Sequence, residues 1–200
     1  RIEDWNTFLR AKLAKDAVDE ESNGYSSSYA NKIVYSGLRN HFYDLEGNES
    51  LIHSWLLKSM IQYPEILRPS KIVIHVRQGD FSEYNPDLVD ACYRTPHRWF
   101  KNALRYALLS DKATPRVLLL TDGDHREVSK FIGLSDYDLP PKNLNALQTM
   151  FLGSNCETLI ASKSTFSMWM RFLGTSRVLW EPQFDLSKYF SATGRDIFIQ

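Results

Sequence analysis

Four mostly β-branched apolar residues, Ile72 to Ile74 and Val76, follow Pro69 and give way at once to Arg77, Gln78, Gly79 and Asp80. So little alternation of apolar and polar side chains marks a strand buried on both faces. Three later runs repeat the signal: Arg116–Thr121 behind Thr114 and Pro115, Thr158–Ala161, and Arg177–Trp180. Helical segments separate them. Pro96 stands at the first-turn position of a helix running to about Leu109, with Trp99, Ala103, Tyr106 and Ala107 on one face. Shorter helices are predicted over 127–132, 144–152 and 164–173, and residues 134–139 are read as a short strand or loop. Strand and helix in turn predict an α/β fold, a doubly wound parallel sheet with right-handed crossovers.

The first seventy residues read differently. Trp5, Phe8, Leu9, Leu13 and Ala17 recur at helical spacing, and further helices are predicted over 29–43 and 51–63. The expected organisation is a mostly helical segment, 1–68, packed on the same domain as an α/β region, 69–200. No internal repeat or low-complexity tract is visible. The chain opens on Arg1 and enters helical sequence almost immediately, so it is read as an excised domain or processed fragment, with a missing N-terminal portion expected to supply further residues.

The 200 residues are 43% hydrophobic, enough for one core, and carry a formal net charge of zero. A balanced charge supplies no global field for nucleic acid or anionic membrane, so any anion site must be local. Apolar stretches such as Met168–Leu173 are too short to span a bilayer, and residues 1–20 are too charged for a secretory signal. The chain is expected to be soluble, either cytoplasmic or the catalytic part of a secretory-pathway protein. Cys92 and Cys156 show no CxxC spacing, which indicates neither a disulfide framework nor a structural zinc site.

Three predicted strands end in polar clusters: HVRQGD at 75–80, TDGD at 121–124 and ASKSTFS at 161–167. In a parallel sheet these ends share one edge, where ligands bind. Arg77 offers a forked, permanently charged donor for an anion. Ser162, Ser164, Thr165 and Ser167 stand where a strand turns into a helix, and helix N-terminal amides bind phosphate. Each cluster also has a plainer reading: an Arg77–Asp80 salt bridge beside a buried His75, N-capping by Ser162 or Ser164, and a tight turn at TDGD. Asp122 and Asp124 could hold a cation, or one could bind a base or sugar hydroxyl while the other caps a helix. No third ligand follows at useful spacing, so no metal is assigned. His41, His53, His97 and His125 are read as surface or core, Trp55, Trp99 and Trp169 as core, and Trp5 and Trp180 as either. Glu83 and Asp80 are the carboxylates nearest the crevice.

Together the clusters resemble the fucosyltransferase superfamily, especially the α-1,2-fucosyltransferases of glycosyltransferase family 11. HVRQGDF at 75–81 is similar to the HxRRGDY signature. Met150–Gly174, MFLGSNCETLIASKSTFSMWMRFLG, resembles the second signature, with matches at Ser154, Cys156, Ile160, Ala161, Ser164, Thr165, Phe166, Ser167, Trp169 and Gly174. LLLTDGD resembles the intervening strand end. Gln78 stands in place of the second arginine, Met168 in place of one tryptophan, and the glycine-rich GGxGNQ segment is absent.

The resemblance implies a Rossmann-like, GT-B-type domain and a metal-independent, inverting transfer of L-fucose from GDP-fucose to a glycan hydroxyl, with no cofactor beyond the donor. It gives catalytic roles to Arg77, on the β-phosphate, and Asp80. It gives donor-binding roles to His75, Gly79, Asp122 near the nucleoside, and Ser164, Thr165, Phe166 and Ser167 around the diphosphate. Gln78 leaves open another donor, such as a xylosyl or rhamnosyl nucleotide. The absent glycine-rich segment leaves open a domain that binds nucleotide or glycan without turnover.

Overall fold

The computed structural model describes residues 42–60, 69–79, 94–109 and 115–200. The helix expected over 3–20, that over 29–43 up to residue 41, the 81–93 loop, Asp80 and Glu83 therefore lie outside the described residues. The chain divides into two compact units, Arg1–Glu46 and Gly47–Gln200. In the first, the described residues form a single 3-10 turn, Tyr43–Leu45.

The second unit is an α/β fold. Its five described strands are β1 (Ser70–Val76), β2 (Val117–Thr121), β3 (Cys156–Ala161), β4 (Arg177–Trp180) and β5 (Asp196–Phe198). They lie in the order β2-β1-β3-β4-β5, and every pairing is parallel. His75 sits opposite Leu120 on one side and Ala161 on the other, so the ends of β2, β1 and β3 are level. The chain passes from β1 outward to β2, then back across β1 to β3. The direction of winding therefore reverses between β1 and β3, which opens a crevice beyond their carboxyl ends.

Alternation along each strand sends side chains to two helical layers. Ile72, Ile74 and Val76 of β1, Val117 and Leu119 of β2, Ile160 and Leu179 share one core with α2 (His97–Leu109) and α3 (His125–Ile132). Phe100 is fully buried there, and that burial supplies about 2–3 kcal/mol. The opposite face carries α1 (Glu49–Met60), α4 (Ala146–Ser154) and α5 (Thr165–Leu173). His53 of α1 stacks on Phe151 of α4 with ring centroids 5.1 Å apart. Gly153 lets α4 seat closely: a Cβ there would stand 2.5 Å from Met170 Sδ of α5 and 3.0 Å from Leu120 Cδ1 of β2.

The sequence expectation of a doubly wound parallel sheet holds, and element ends shift by a few residues. Asn145 caps α4 through a reciprocal capping box with Gln148. Asp124 starts α3 earlier than expected by accepting from the Arg126 and Glu127 amides. Residues 134–139 supply one bridge, Leu118 to Asp138, along the free edge of β2. Strand β5 had no counterpart among the expected elements, since three residues show no periodicity. Trp180, open to either reading, is fully buried, while Trp55 is only half-buried.

Candidate functional site

At the crevice, the ends of β1 and β3 are laced together by one hydroxyl. Ser162 Oγ donates to the His75 carbonyl at 2.6 Å and accepts the Arg77 amide at 2.8 Å. The Ser162 amide also donates to the His75 carbonyl, at 3.1 Å. The pairing thus continues past the last residue of each strand and fixes the backbone that carries Arg77.

Asp122, at the end of β2, holds this backbone from the other side. Its Oδ1 accepts the Gln78 amide at 2.7 Å, and its Oδ2 lies 2.7 Å from Arg77 Nη1. Both side chains of the ion pair are about a third exposed, at 32% and 29%. Gly79 passes over the pair so closely that a Cβ would lie 2.4 Å from Asp122 Oδ2. Any side chain at that position would force the pair to shift. The two aspartates of TDGD therefore divide their labour: Asp122 braces Arg77 and Gln78, and Asp124 caps α3. The expected Arg77–Asp80 bridge cannot be placed, because Asp80 lies outside the described residues.

The third cluster opens α5. Ser164 is the N-cap, its Oγ accepting the Ser167 amide at 3.2 Å. The Lys163 amide donates to Thr95 Oγ1 at 3.1 Å, and the Ser164 amide to the Ser162 carbonyl at 2.9 Å. The first-turn amides of Thr165 and Phe166 have no acceptor among the described residues. Amides left without a protein acceptor at the positive end of a helix have the character to meet an anion.

His75 joins this helix start to β1. Its Nδ1 lies 2.6 Å from Ser167 Oγ, and its ring stacks on Phe166 with centroids 5.1 Å apart. Burial pushes its pKa down to about 4; Asp122 opposes that shift and Arg77 adds to it. The ring is neutral at pH 7.

Of the residues expected at the site, His75, Arg77, Gly79, Asp122, Ser164, Phe166 and Ser167 meet around the β1/β3 crevice through these contacts, and Thr165 opens the helix. Sequence reasoning missed several neighbours. Arg94 Nε donates to the Gln78 carbonyl at 3.2 Å. Gln78 Nε2 lies 3.1 Å from His97 Nε2, and the His97 ring stacks on Phe131 at 4.7 Å. Burial, with help from Arg94, lowers the His97 pKa. Lys163 and Glu181 form an ion pair at 2.6 Å with side chains only 10% and 8% exposed. The signal for Glu181 was present: it is the polar residue directly after β4, the fourth strand end on the same edge.

No family model matches this sequence, and no curated protein matches it. Among solved structures, the chain is similar to NodZ α-1,6-fucosyltransferase soaked with GDP-fucose. The identity is 24%, the TM-score is 0.39, and the match covers 74% of this chain. The chain spans about half, 48%, of that protein's length.

Among the described residues no three His, Cys, Asp or Glu side chains are grouped to hold a metal ion. Burial pushes the Cys156 thiol up to about 11, unsuited to nucleophilic work. A cavity of about 320 Å³ lies at the other end of β2, between Leu104, Leu108, Val117, Leu134 and Tyr137. None of the crevice groups lines it. No helix among the described residues is long and apolar enough to cross a membrane.

Proposed function

We propose that the chain is the nucleotide-sugar-binding part of a glycosyltransferase and that its donor is GDP-fucose. The observation that carries the reading is the meeting of a braced arginine, two uncommitted helix amides and a winding reversal at one sheet edge. Transfer of a sugar with a diphosphate leaving group builds negative charge on that group. Fixed cationic and amide donors stabilise such charge without a metal. Arg77 supplies the charge, and the Thr165 and Phe166 amides supply oriented dipoles. Ser162 and Asp122 hold the Arg77 backbone and guanidinium ready, so little reorganisation remains when the donor arrives. The choice of fucose rests on the resemblance of HVRQGDF and of the 150–174 segment to the fucosyltransferase signatures.

Gln78 supports a second reading, in which the donor is another nucleotide sugar. Its amide engages His97 where the resembling signature has an arginine, so this chain has one fewer cation in that segment. Calorimetric titration of GDP, UDP, dTDP and their sugars into the wild-type chain and Arg77→Ala separates the readings. A GDP preference lost in the variant supports the first, and a UDP or dTDP preference the second. Absence of diphosphate binding, or equal binding by the variant, would sink both.

A further inference from the structure

Ser164, Ser167 and His75 form one directed chain of buried hydrogen bonds. They are 5%, 0% and 5% exposed. Ser164 Oγ accepts the Ser167 amide and donates its own proton to Ser167 Oγ at 3.2 Å. A hydroxyl has a single proton to give. Ser167 has one other side-chain partner among the described residues, His75 Nδ1 at 2.6 Å, to which its own proton would then go. A ring nitrogen that accepts is bare, so the single proton of the neutral imidazole sits on Nε2. That Nε2 has no hydrogen-bond partner among the described residues. Among the described residues only Arg177 Nε and Glu181 Oε2 are buried side-chain atoms without a partner, so His75 Nε2 reaches solvent, and a ligand oxygen there would take the place of water.

We propose that Ser167 is a positioning residue that locks His75 in its Nε2–H tautomer, making the ring an uncharged donor to an oxygen of the bound diphosphate. The ligand half of this statement rests on the function proposed above; the tautomer half does not. Phe166 fixes the plane of the ring from one face. The charges that bear on the ring are Arg77, just past the end of β1, and Asp122, just past the end of β2, already joined to each other. The first turn of α5 adds only hydroxyls, and Lys163 before it is committed to Glu181. A neutral donor suits a site that already has a guanidinium, because it adds direction without the cost of burying a second cation.

Long-range ¹⁵N NMR of the ligand-free chain tests the lock. The expected spectrum shows Nδ1 unprotonated and Nε2 protonated, unchanged from pH 8 to pH 5.5. A proton on Nδ1, or averaging between the two nitrogens, overturns the proposal. Ser167→Ala should average the tautomers and weaken GDP binding about fivefold, the loss of roughly one hydrogen bond. Ser167→Thr, which keeps the hydroxyl, should restore both; failure of Ser167→Thr to restore the tautomer counts against the lock. If Ser167→Ala does not fold, the wild-type spectrum decides. Adding GDP, and separately inorganic diphosphate, should shift the Nε2–H resonance alike. A shift with GDP alone overturns the assignment to the diphosphate. Calorimetric binding without any shift removes the ligand contact, and no binding of either removes it together with the proposed function, while the tautomer result stands on its own.

Discussion

Two arginine–aspartate pairs in this molecule use the same chemistry for opposite ends. Arg171 of α5 and Asp196 of β5 are buried, with side chains 4% and 0% exposed. Arg171 grips the carboxylate with Nε at 3.1 Å and Nη2 at 2.7 Å. Trp180 Nε1, the Thr193 amide and the Thr193 hydroxyl each donate to it at 3.0 Å. The Phe190 ring lies under the guanidinium at 4.5 Å. Burial alone would raise the Asp196 pKa, but the Arg171 and Trp180 hydrogen bonds overcome it and lower the value. Arg77 and Asp122 sit at the crevice mouth with a third of each side chain in water. The first arginine is saturated by protein and fastens a helix to an edge strand. The second meets a partly exposed carboxylate that also holds the Gln78 amide. The difference teaches that solvent access and the donor count on the partner, rather than the pair itself, separate a saturated structural arginine from one left open to the crevice.

The contrast is tested first where the effect is largest. Asp196→Ala leaves Arg171 buried without a counter-charge and should cost about 3–5 kcal/mol. For a chain of this size that lowers the melting temperature by roughly 10 °C. A melt like the wild type's would end the distinction between the pairs.

Next comes acid. His75 has a folded-state pKa near 4, below the ordinary 6.5, so its contribution to stability is complete above pH 6.5 and is lost as pH falls toward 4. The loss should be on the order of 3 kcal/mol, read from urea midpoints at pH 7 and pH 4.5. His75→Gln should flatten that slope. A slope kept in the variant would assign it to other groups, with no special role for the crevice.

Arg77→Ala should lower stability by less than about 1 kcal/mol, as for other partly exposed pairs. The same change should weaken GDP binding ~10–100-fold, measured by calorimetry, since hydrogen bonds to charged groups are worth about 1.5–3 kcal/mol. A large stability loss with unchanged affinity would make Arg77 a second Arg171. Smallest of all, Ser164→Ala removes the α5 cap and should cost about 1 kcal/mol, a shift of about 2–4 °C in the melt. No shift would show that the helix start is held from outside.

The strands β1 to β4 were legible because each is a short apolar run between clear breaks, and burial on both faces writes itself into composition. Ser164 was legible as a cap because the signal is local. The order of strands was not, since succession along the chain says nothing of which strand lies beside which; the winding reversal between β1 and β3 emerges only in space. The partners of Arg77 and His75 were hidden for the same reason. Asp122 comes from the end of β2 and Ser167 from the first turn of α5, and the neighbouring Asp80 was the obvious candidate from sequence. Gln78 was noticed as a departure, but nothing local announced that its amide would meet His97 and its carbonyl Arg94.

The indole of Trp99 donates to the Ile199 carbonyl at 2.8 Å, and the Ile199 amide donates to the Trp180 carbonyl at 3.0 Å. A helix near the middle of the sequence thereby clasps the last residues over β4, whose Val178, Leu179 and Trp180 are wholly buried. Without that clasp, a row of unpaired backbone groups flanked by large apolar side chains would face water, a template for another chain to add to. Trp99 thus ties down the residues after β5 as well as filling space, and the three residues of β5 act as a guard rail on β4.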